Sequence, residues 1–186
     1  MGLERATWLE RRYGAHIEWL PFDLHPEYPH EGISRAELDS RYGGGRFRDG
    51  LWAMFDVAGL PYSRDITLVP NSRKALRMGE LARDHGRFEE LHSRLFDAYW
   101  ARGFDLGDDL VLLAEGAAAG LSEADIRDLL AGDRYLDLIE ARTREALSVG
   151  ASGVPAWVVD LRLLIPGAVP HEVFERAMRQ LGHEPV

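Results

Sequence analysis

Two stretches near the C-terminus read Gly153-Val154-Pro155-Ala156-Trp157-Val158-Val159 and Pro166-Gly167-Ala168-Val169-Pro170-His171-Glu172-Val173-Phe174. Residues 156–160 and 162–165 are short runs rich in β-branched side chains, with only Leu161 between them, which predicts a hairpin or a bulged strand pair. Proline suits the first turn of a helix, and apolar residues recur on one helical face after it, which predicts a helix from Pro170 to Leu181. The chain is therefore expected to end in the order β-β-α.

The beginning of the chain is predicted to be a helix followed by a strand. Apolar residues recur at helical spacing in residues 3–13, and Gly14 then provides a stop signal. Residues 16–24 alternate polar and apolar side chains, which predicts a strand that enters a surface loop over residues 25–33. Pro21 favours an edge position for this strand because proline has no backbone N–H to donate to a ladder.

The middle of the chain, from Ser34 to about Gly150, is predicted to be helical almost throughout. Helix-start signals recur there: Ser122, for example, is an acceptor followed three residues later by an acid, and this pairing satisfies free amides at a helix start. No internal repeat, low-complexity tract or long linker divides the chain. The predicted helices are 34–42, 47–58, 72–85, 88–101, 108–119, 122–130 and 135–149.

The composition is typical of a globular protein. The 186 residues include 22 lysines and arginines against 31 aspartates and glutamates, a net charge of −9, and 46% of them are hydrophobic. These values exclude disordered, collagen-like and disulfide-scaffold classes. Negative charge repels polyanions and we find no local basic patch, so neither nucleic acid nor a membrane is an expected partner. No apolar run approaches the roughly 20 residues that span a bilayer, so a cytoplasmic location is expected.

The sequence contains no cysteine, which limits its chemistry. Residues 1–186 therefore supply no thiolate nucleophile, no cysteine ligand for a metal and no disulfide. No serine has a nucleophile-elbow context, and no glycine-rich phosphate loop precedes a helix. His25 and His30 flank a loop that also holds Glu27 and Glu31, but this spacing matches no closed ligand set, so we expect no metal site. No motif implies a cofactor.

The predicted order resembles a thioredoxin fold whose two halves are split by a helical insertion and whose opening strand is missing. Residues 153–159 and 166–174 resemble the cis-proline strand and final helix of the DsbA-like disulfide oxidoreductases, in particular the FrnE-like branch of cytosolic dithiol-disulfide isomerases. The similarity covers residues 2–182 and implies an α/β class, with a thioredoxin-like fold and a large all-helical insertion. Further matches in the right order are Phe22-Asp23-Leu24-His25-Pro26 with Glu31-Gly32, Pro70-Asn71-Ser72-Arg73-Lys74-Ala75, and Ser148-Val149-Gly150.

The resemblance implies a thioredoxin-like domain of residues 1–33 and 150–186, split by a helical insertion domain of residues 34–149. In the family a Cys-x-x-Cys pair opens the first helix, and here Met1-Gly2-Leu3-Glu4 begins where the residues that trail this pair belong. A thiolate at a helix start is stabilised by free backbone amides and the helix dipole, which lowers its pKa. The first strand and the redox pair are therefore expected to be missing from this chain, and no catalytic residue is expected within it.

Two explanations of the missing segment are open: a misassigned or truncated start, or a genuine short form that has lost its chemistry. In a thioredoxin sheet the opening strand lies between the second strand and the cis-proline strand. Its loss would leave two inward edges unpaired and expose apolar surface, which favours the first explanation.

The resemblance also points to three ligand-binding residues. A cis Val154–Pro155 bond would present the Val154 backbone to a peptide or thiol ligand in the manner of strand addition. Asn71 is either a helix cap or, as in glutathione-using relatives of the superfamily, a contact to the ligand. Aromatic residues at helical spacing more often belong to a core than line a cleft. Whether part of one aromatic set borders a substrate groove stays open. This set consists of Trp19, Phe22, Trp52, Phe55, Phe96, Tyr99, Trp100 and Trp157.

The family resemblance implies dithiol-disulfide oxidation or isomerisation, with a thiol- or disulfide-containing protein or a small thiol such as glutathione as partner. Whether the protein forms a homodimer stays open. One alternative is a glutathione-dependent isomerase or kappa-type glutathione transferase of the same superfamily, in which a serine replaces the first cysteine. Another alternative is a non-catalytic peptide-binding module that retains only the cleft.

Overall fold

The computed structural model describes the backbone of residues 1–186 and every side chain except that of Phe47. The strands are β1 (Ile33–Ser34), β2 (Leu68–Val69), β3 (Ala156–Val159) and β4 (Leu163–Pro166). The helices are α1 (Gly2–Tyr13), α2 (Arg35–Arg41), α3 (Gly45–Ala58), α4 (Arg73–Asp84), α5 (Phe88–Phe96), α6 (Asp109–Ala118), α7 (Glu123–Ala131), α8 (Leu136–Ser148) and α9 (His171–Leu181).

The chain divides into two compact units. The first unit consists of Met1–Leu24 and Glu140–Val186, and the second unit is His25–Ile139. The predicted split into residues 1–33 with 150–186 and residues 34–149 also places one unit inside the other, and its boundaries stay a prediction.

The first unit contains the β-β-α ending that the sequence predicts. β3 and β4 are antiparallel, with Trp157 opposite Ile165. The turn between them places Asp160 and Leu161 at positive φ, 52° and 56°. α9 begins directly after Pro170, so the predicted hairpin and final helix are both confirmed.

The core of the first unit lies between the hairpin and the two terminal helices. Phe174 of α9 is fully buried, and its ring meets the Trp157 ring edge-on at a centroid distance of 5.4 Å. Leu9 of α1 and Ile165 of β4 are buried in the same cluster. Apolar side chains spaced for one helical face thus pack α1 and α9 against the inner face of the hairpin.

The predicted strand over residues 16–24 is wrong, because the structure assigns this segment to no sheet. The alternation does place Ile17 and Trp19 against the core of the first unit. The backbone N–H of Asp23 donates to the Thr143 hydroxyl over 2.9 Å instead of to a neighbouring strand. Alternation sets which face is buried, but a strand also requires a ladder partner. Within the described residues, β3 pairs only with β4, so its other edge has no strand partner.

The second unit is helical around one large apolar cluster. Met78, Leu81, Leu91, Leu112 and Ile126 are fully buried within it. The two-residue pair of β1 and β2 was not predicted, since two residues are too few to show a period.

The predicted helix over residues 88–101 is interrupted. α5 ends at Phe96, and Asp97–Ala101 continues as a π-helical turn. The start signal at Ser122 is confirmed, because its hydroxyl accepts the Ala124 N–H at the beginning of α7. None of the helices described combines the length and the apolar character needed to cross a bilayer.

Candidate functional site

The start of α1 lies beside Pro155. A Cβ atom placed on Gly2 would be 3.7 Å from the Pro155 Cβ and 3.6 Å from Cη2 of Trp19, which is ordinary contact distance. The Arg5 N–H donates to the Met1 carbonyl over 3.0 Å, so the amides that precede Arg5 have no acceptor within the helix. The first turn of α1 therefore offers free amides and the positive end of the helix dipole next to Pro155.

The Pro155 loop is tied to the segment that follows β4. The Val154–Pro155 peptide bond is cis, and the Pro155 carbonyl accepts the Gly167 N–H over 2.7 Å. Val154 is 54% exposed, so this residue is accessible to a ligand. The structure thus places Pro155 against the start of α1, with the exposed Val154, the other predicted site residue of this loop, directly before it.

A cluster of polar groups adjoins this position and was not found in the sequence. The Arg5 side chain donates from Nε to the Val169 carbonyl over 2.9 Å and forms an ion pair with Glu4. Nε2 of His171, at the start of α9, lies 3.0 Å from Oε1 of Glu4. The imidazole also stacks on Trp8, with ring centroids 4.4 Å apart. No spacing in the sequence signals this cluster, because Glu4 and His171 lie more than 160 residues apart along the chain.

Asn71, the third predicted residue, lies in the second unit. Its Nδ2 donates to the Tyr28 carbonyl over 3.0 Å, and its Oδ1 accepts the Arg73 N–H over 3.0 Å. These contacts join the loop before β1 to the first turn of α4, as a helix-capping side chain does. The ligand contact assigned to Asn71 stays a prediction.

The histidines of the 25–33 loop have local partners. The His25 ring stacks on Tyr28 at 4.3 Å, and its Nδ1 lies 3.0 Å from Oε1 of Glu27. Across the side chains that the structure describes, no group of three His, Cys, Asp or Glu residues is arranged to hold a metal ion.

The aromatic set falls into two groups, one in each unit. In the first unit, Trp19 and Trp157 are 5.8 Å apart, centroid to centroid, and contribute to the core beside Pro155. In the second unit, Phe55 lies 5.0 Å from Trp100, and Trp52 stacks on Tyr62 at 4.8 Å. Trp52 and Phe55 are buried, so they act as packing residues there.

A β-hairpin preceded by an exposed X-Pro loop, followed by a helix and facing the start of another helix, defines a protein of the thioredoxin-like class. The sequence profile of the DSBA-like thioredoxin domain matches residues 1–179. The chain therefore belongs to the DSBA-like thioredoxin domain family.

Two solved structures and one curated protein are similar to this chain. A probable DsbA oxidoreductase, SCO1869 from Streptomyces coelicolor, is 31% identical with a TM-score of 0.75, and the match covers 86% of this chain and 72% of that one. The 2-hydroxychromene-2-carboxylate isomerase structure shares the fold at 18% identity, with a TM-score of 0.69 and coverage of 96% of this chain and 87% of that one. The uncharacterized protein YwbO of Bacillus subtilis (strain 168) is 22% identical over 164 residues, or 87% of this chain and 80% of YwbO.

Proposed function

We propose that this protein binds thiols and disulfides at the start of α1 and serves in cytoplasmic dithiol-disulfide oxidation or isomerisation, as in the FrnE-like branch of its family. The observation that carries the proposal is the position of Pro155 against Gly2. It places an exposed backbone segment next to a helix start. An extended ligand that lies along Val154 can there direct its sulfur toward the free amides of α1.

The chemistry of this position follows from the preference of a helix start for negative charge. A thiolate near the first-turn amides is stabilised relative to the thiol, which lowers the pKa of the sulfur and makes it both a better nucleophile and a better leaving group. The first turn of α1 supplies this electrostatic environment, and the Val154 backbone supplies the binding of the substrate chain. Residues 1–186 supply no sulfur nucleophile, because they include no cysteine.

For the reactive pair itself, the proposed redox chemistry follows the family pattern, in which a Cys-x-x-Cys motif opens the first helix. The thiolate of the first cysteine attacks one sulfur of the substrate disulfide, so that a mixed disulfide forms and the other substrate sulfur leaves as a thiolate. The second cysteine then attacks the mixed disulfide, releases the reduced substrate and leaves the pair oxidised. Two electrons pass from the dithiol to the substrate in this direction, and the reverse sequence oxidises a substrate dithiol.

The first experiment maps ligand binding on residues 1–186. Reduced glutathione and a short cysteine-containing peptide are added separately, and backbone amide shifts are followed by NMR. The proposal predicts the largest shifts at Leu3, Glu4, Val154 and Gly167. Shifts confined to the second unit, or no binding of either ligand, would contradict it.

The second experiment tests turnover by insulin reduction. A chain extended at its N-terminus with a strand and Cys-x-x-Cys is compared with an otherwise identical Ser-x-x-Ser extension. The proposal predicts insulin reduction by the cysteine form alone. If the cysteine form binds peptides but gives no turnover, the protein is a peptide-binding module and not an enzyme of this kind.

A glutathione-dependent isomerase or kappa-type transferase is the second candidate. It is supported by the fold match to 2-hydroxychromene-2-carboxylate isomerase, which covers 96% of this chain. In this case glutathione itself brings the sulfur, and the helix start stabilises its thiolate. Glutathione binding together with isomerase or transferase turnover and no insulin reduction would favour this candidate over the first.

A further inference from the structure

One ring nitrogen of His171 faces two partners of opposite hydrogen-bonding character. Nε2 lies 3.0 Å from Oε1 of Glu4 and 3.2 Å from Nη1 of Arg5. A guanidinium group only donates hydrogen bonds, and a carboxylate only accepts them. Nε2 can therefore accept from Arg5 when it carries a lone pair, or donate to Glu4 when it carries a proton, but it cannot do both.

The two protonation states of the imidazole thus correspond to two sets of contacts. In the neutral ring with its proton on Nδ1, Nε2 accepts from Nη1 of Arg5, which also pairs with Oε2 of Glu4. In the protonated ring, Nε2 donates to Glu4, and the positive charge of His171 repels that of Arg5. Protonation therefore changes the partner of Nε2 from Arg5 to Glu4 and leaves Nη1 of Arg5 with the Glu4 carboxylate as its acceptor.

The Arg5 contacts connect this cluster to the Pro155 loop. Nε of Arg5 donates to the Val169 carbonyl over 2.9 Å. Two residues earlier in the same segment, the Gly167 N–H donates to the Pro155 carbonyl over 2.7 Å. Arg5 and Pro155 are thus both hydrogen-bonded to the backbone of residues 167–169, which is the route by which a change in the bond from Arg5 to Val169 can act on Pro155.

The surroundings of the His171 ring hold it in a fixed orientation while leaving it open to solvent protons. The imidazole stacks on Trp8 at an interplanar angle of 15°, which fixes the plane of the ring. The side chain of His171 is 34% exposed, so solvent protons reach it. Besides Glu4 and Arg5, the ionisable groups of the two helices here include the Met1 amino group directly before α1, and Glu172 and Glu175 on α9. Arg11 and Arg12 of α1 line the same surface depression as Glu4 and Trp8.

We propose that His171 is a proton-controlled positioning residue, which exchanges Arg5 for Glu4 as its partner and thereby tightens or loosens the loop that holds Pro155. The neutral state tightens the loop, and the protonated state loosens it. The proposed exchange of partners stands without the proposed function; only its consequence for ligand binding rests on that function.

The exchange is tested by NMR on the full chain without ligand. The ¹⁵N signals of the His171 ring and the amide signal of Gly167 are followed between about pH 5 and pH 8, the range in which imidazoles change charge. We expect an unprotonated Nε2 in the neutral ring and a Gly167 amide shift with the same midpoint as the ring. We expect His171→Gln to abolish the Gly167 transition.

His183 offers a matched control in the same unit. Its Nε2 lies 2.7 Å from Oδ2 of Asp160, a carboxylate partner. We expect His183→Gln to leave the Gly167 transition unchanged. A neutral His171 ring with its proton on Nε2, or a Gly167 transition that survives in His171→Gln, would overturn the proposal. If His171→Gln does not fold, Arg5→Lys is used, because lysine keeps the charge but loses the guanidinium fork; a Gly167 transition of unchanged size in this variant would also overturn the proposal.

The consequence for binding is measured with S-methylglutathione, which has no titrating thiol. We expect its affinity to fall about fivefold from pH 8 to pH 5, the lower end of typical couplings between sites, and to become independent of pH in His171→Gln. An affinity that falls equally in both proteins would contradict this consequence. If S-methylglutathione, glutathione and the cysteine-containing peptide all fail to bind at every pH, the proposed function fails, and the Gly167 titration still decides the exchange of partners.

Discussion

Gly32 lies directly against the backbone of Val69: a Cβ atom at position 32 would overlap the Val69 carbonyl oxygen and come within 3.0 Å of the Pro70 Cα. Gly32 also has a φ of +77°. Gly32→Ala is therefore expected to lower the free energy of unfolding by about 2–4 kcal/mol, since it combines backbone strain with an overlap that only a shift of β2 relieves. Urea unfolding measures the loss.

Gly43 is the matched control for this substitution. Its φ is +83°, but a Cβ atom placed on it would have no other atom within 4 Å. Gly43→Ala should lower the free energy of unfolding by only about 1 kcal/mol, because it introduces the backbone strain of a positive φ without a steric overlap. An equal loss of unfolding free energy in the two variants would show that the close approach of Gly32 to Val69 does not add to the cost of Gly32→Ala.

The hairpin tip offers a stabilising substitution. Leu161 has a φ of 56° and is 93% exposed, so it bears left-handed strain without burying its side chain. Leu161→Gly is expected to raise the free energy of unfolding by about 0.5–1 kcal/mol, because glycine adopts this conformation without a steric penalty. Asp160→Gly should gain less, since it loses the 2.7 Å contact to His183. Thermal unfolding that ranks the two variants in the opposite order would refute this explanation.

Arg77 holds the end of α7 from within the second unit. It is 6% exposed and donates to the carbonyls of Leu129, Gly132 and Arg134 over 2.6, 2.6 and 2.7 Å. Arg77→Met should lower the free energy of unfolding by about 3 kcal/mol, because it leaves these carbonyls without their donor.

Arg127 provides the comparison for Arg77. It forms an ion pair with Glu123 across 3.1 Å, and both side chains are 63% exposed. Arg127→Met should cost about 0.5 kcal/mol or less, as exposed pairs on a helix do. Chemical denaturation of both variants checks the contrast, and a loss at position 77 as small as that at position 127 would contradict it.

His92 is expected to make the second unit less stable in acid. Burial beside Phe88 and Phe96, with a smaller contribution from Arg83, lowers the pKa of His92 from 6.5 to about 4. The unfolded chain therefore takes up a proton between those values that the folded chain excludes. Stability is retained above pH 6.5, falls as the pH drops toward 4, and changes no further below that through this group.

The size of the His92 effect is about 3 kcal/mol, at about 1.4 kcal/mol for each unit of pKa. The measurement is the free energy of unfolding as a function of pH for the parent protein and for His92→Gln. The variant should lack most of this slope. The same slope in both proteins would show that His92 is not the group responsible.

The elements that the sequence predicted well are those whose signals are local. α1 and α9 each combine an apolar face with a terminal signal, Gly14 in one case and Pro170 in the other. The β3–β4 hairpin was evident from its β-branched runs and the single break at Leu161. Residues 16–24 misled the prediction because alternation reports a buried face and contains no information about a ladder partner.

The candidate site was predictable only in part, for the same reason. Val154 and Pro155 belong to one short stretch of sequence, and their neighbourhood could be inferred from the family resemblance. The contacts of His171 with Glu4 and Arg5 join residues at opposite ends of the chain, and no spacing in the sequence signals them. Tertiary packing of α1 against α9 creates that cluster.

The acidity of a thiol placed where α1 meets Pro155 decides whether this helix start is built to hold a thiolate. Gly2→Cys introduces a single cysteine at this position, and Gly50→Cys, in the interior of α3 with no atom within 4 Å of its Cβ, is the control. The rate of alkylation by iodoacetamide is measured against pH in both variants. We predict a thiol pKa of about 7.5 or lower at position 2 and about 8.5 at position 50. A thiol pKa at position 2 that equals or exceeds the control would contradict a thiolate-binding role for the start of α1.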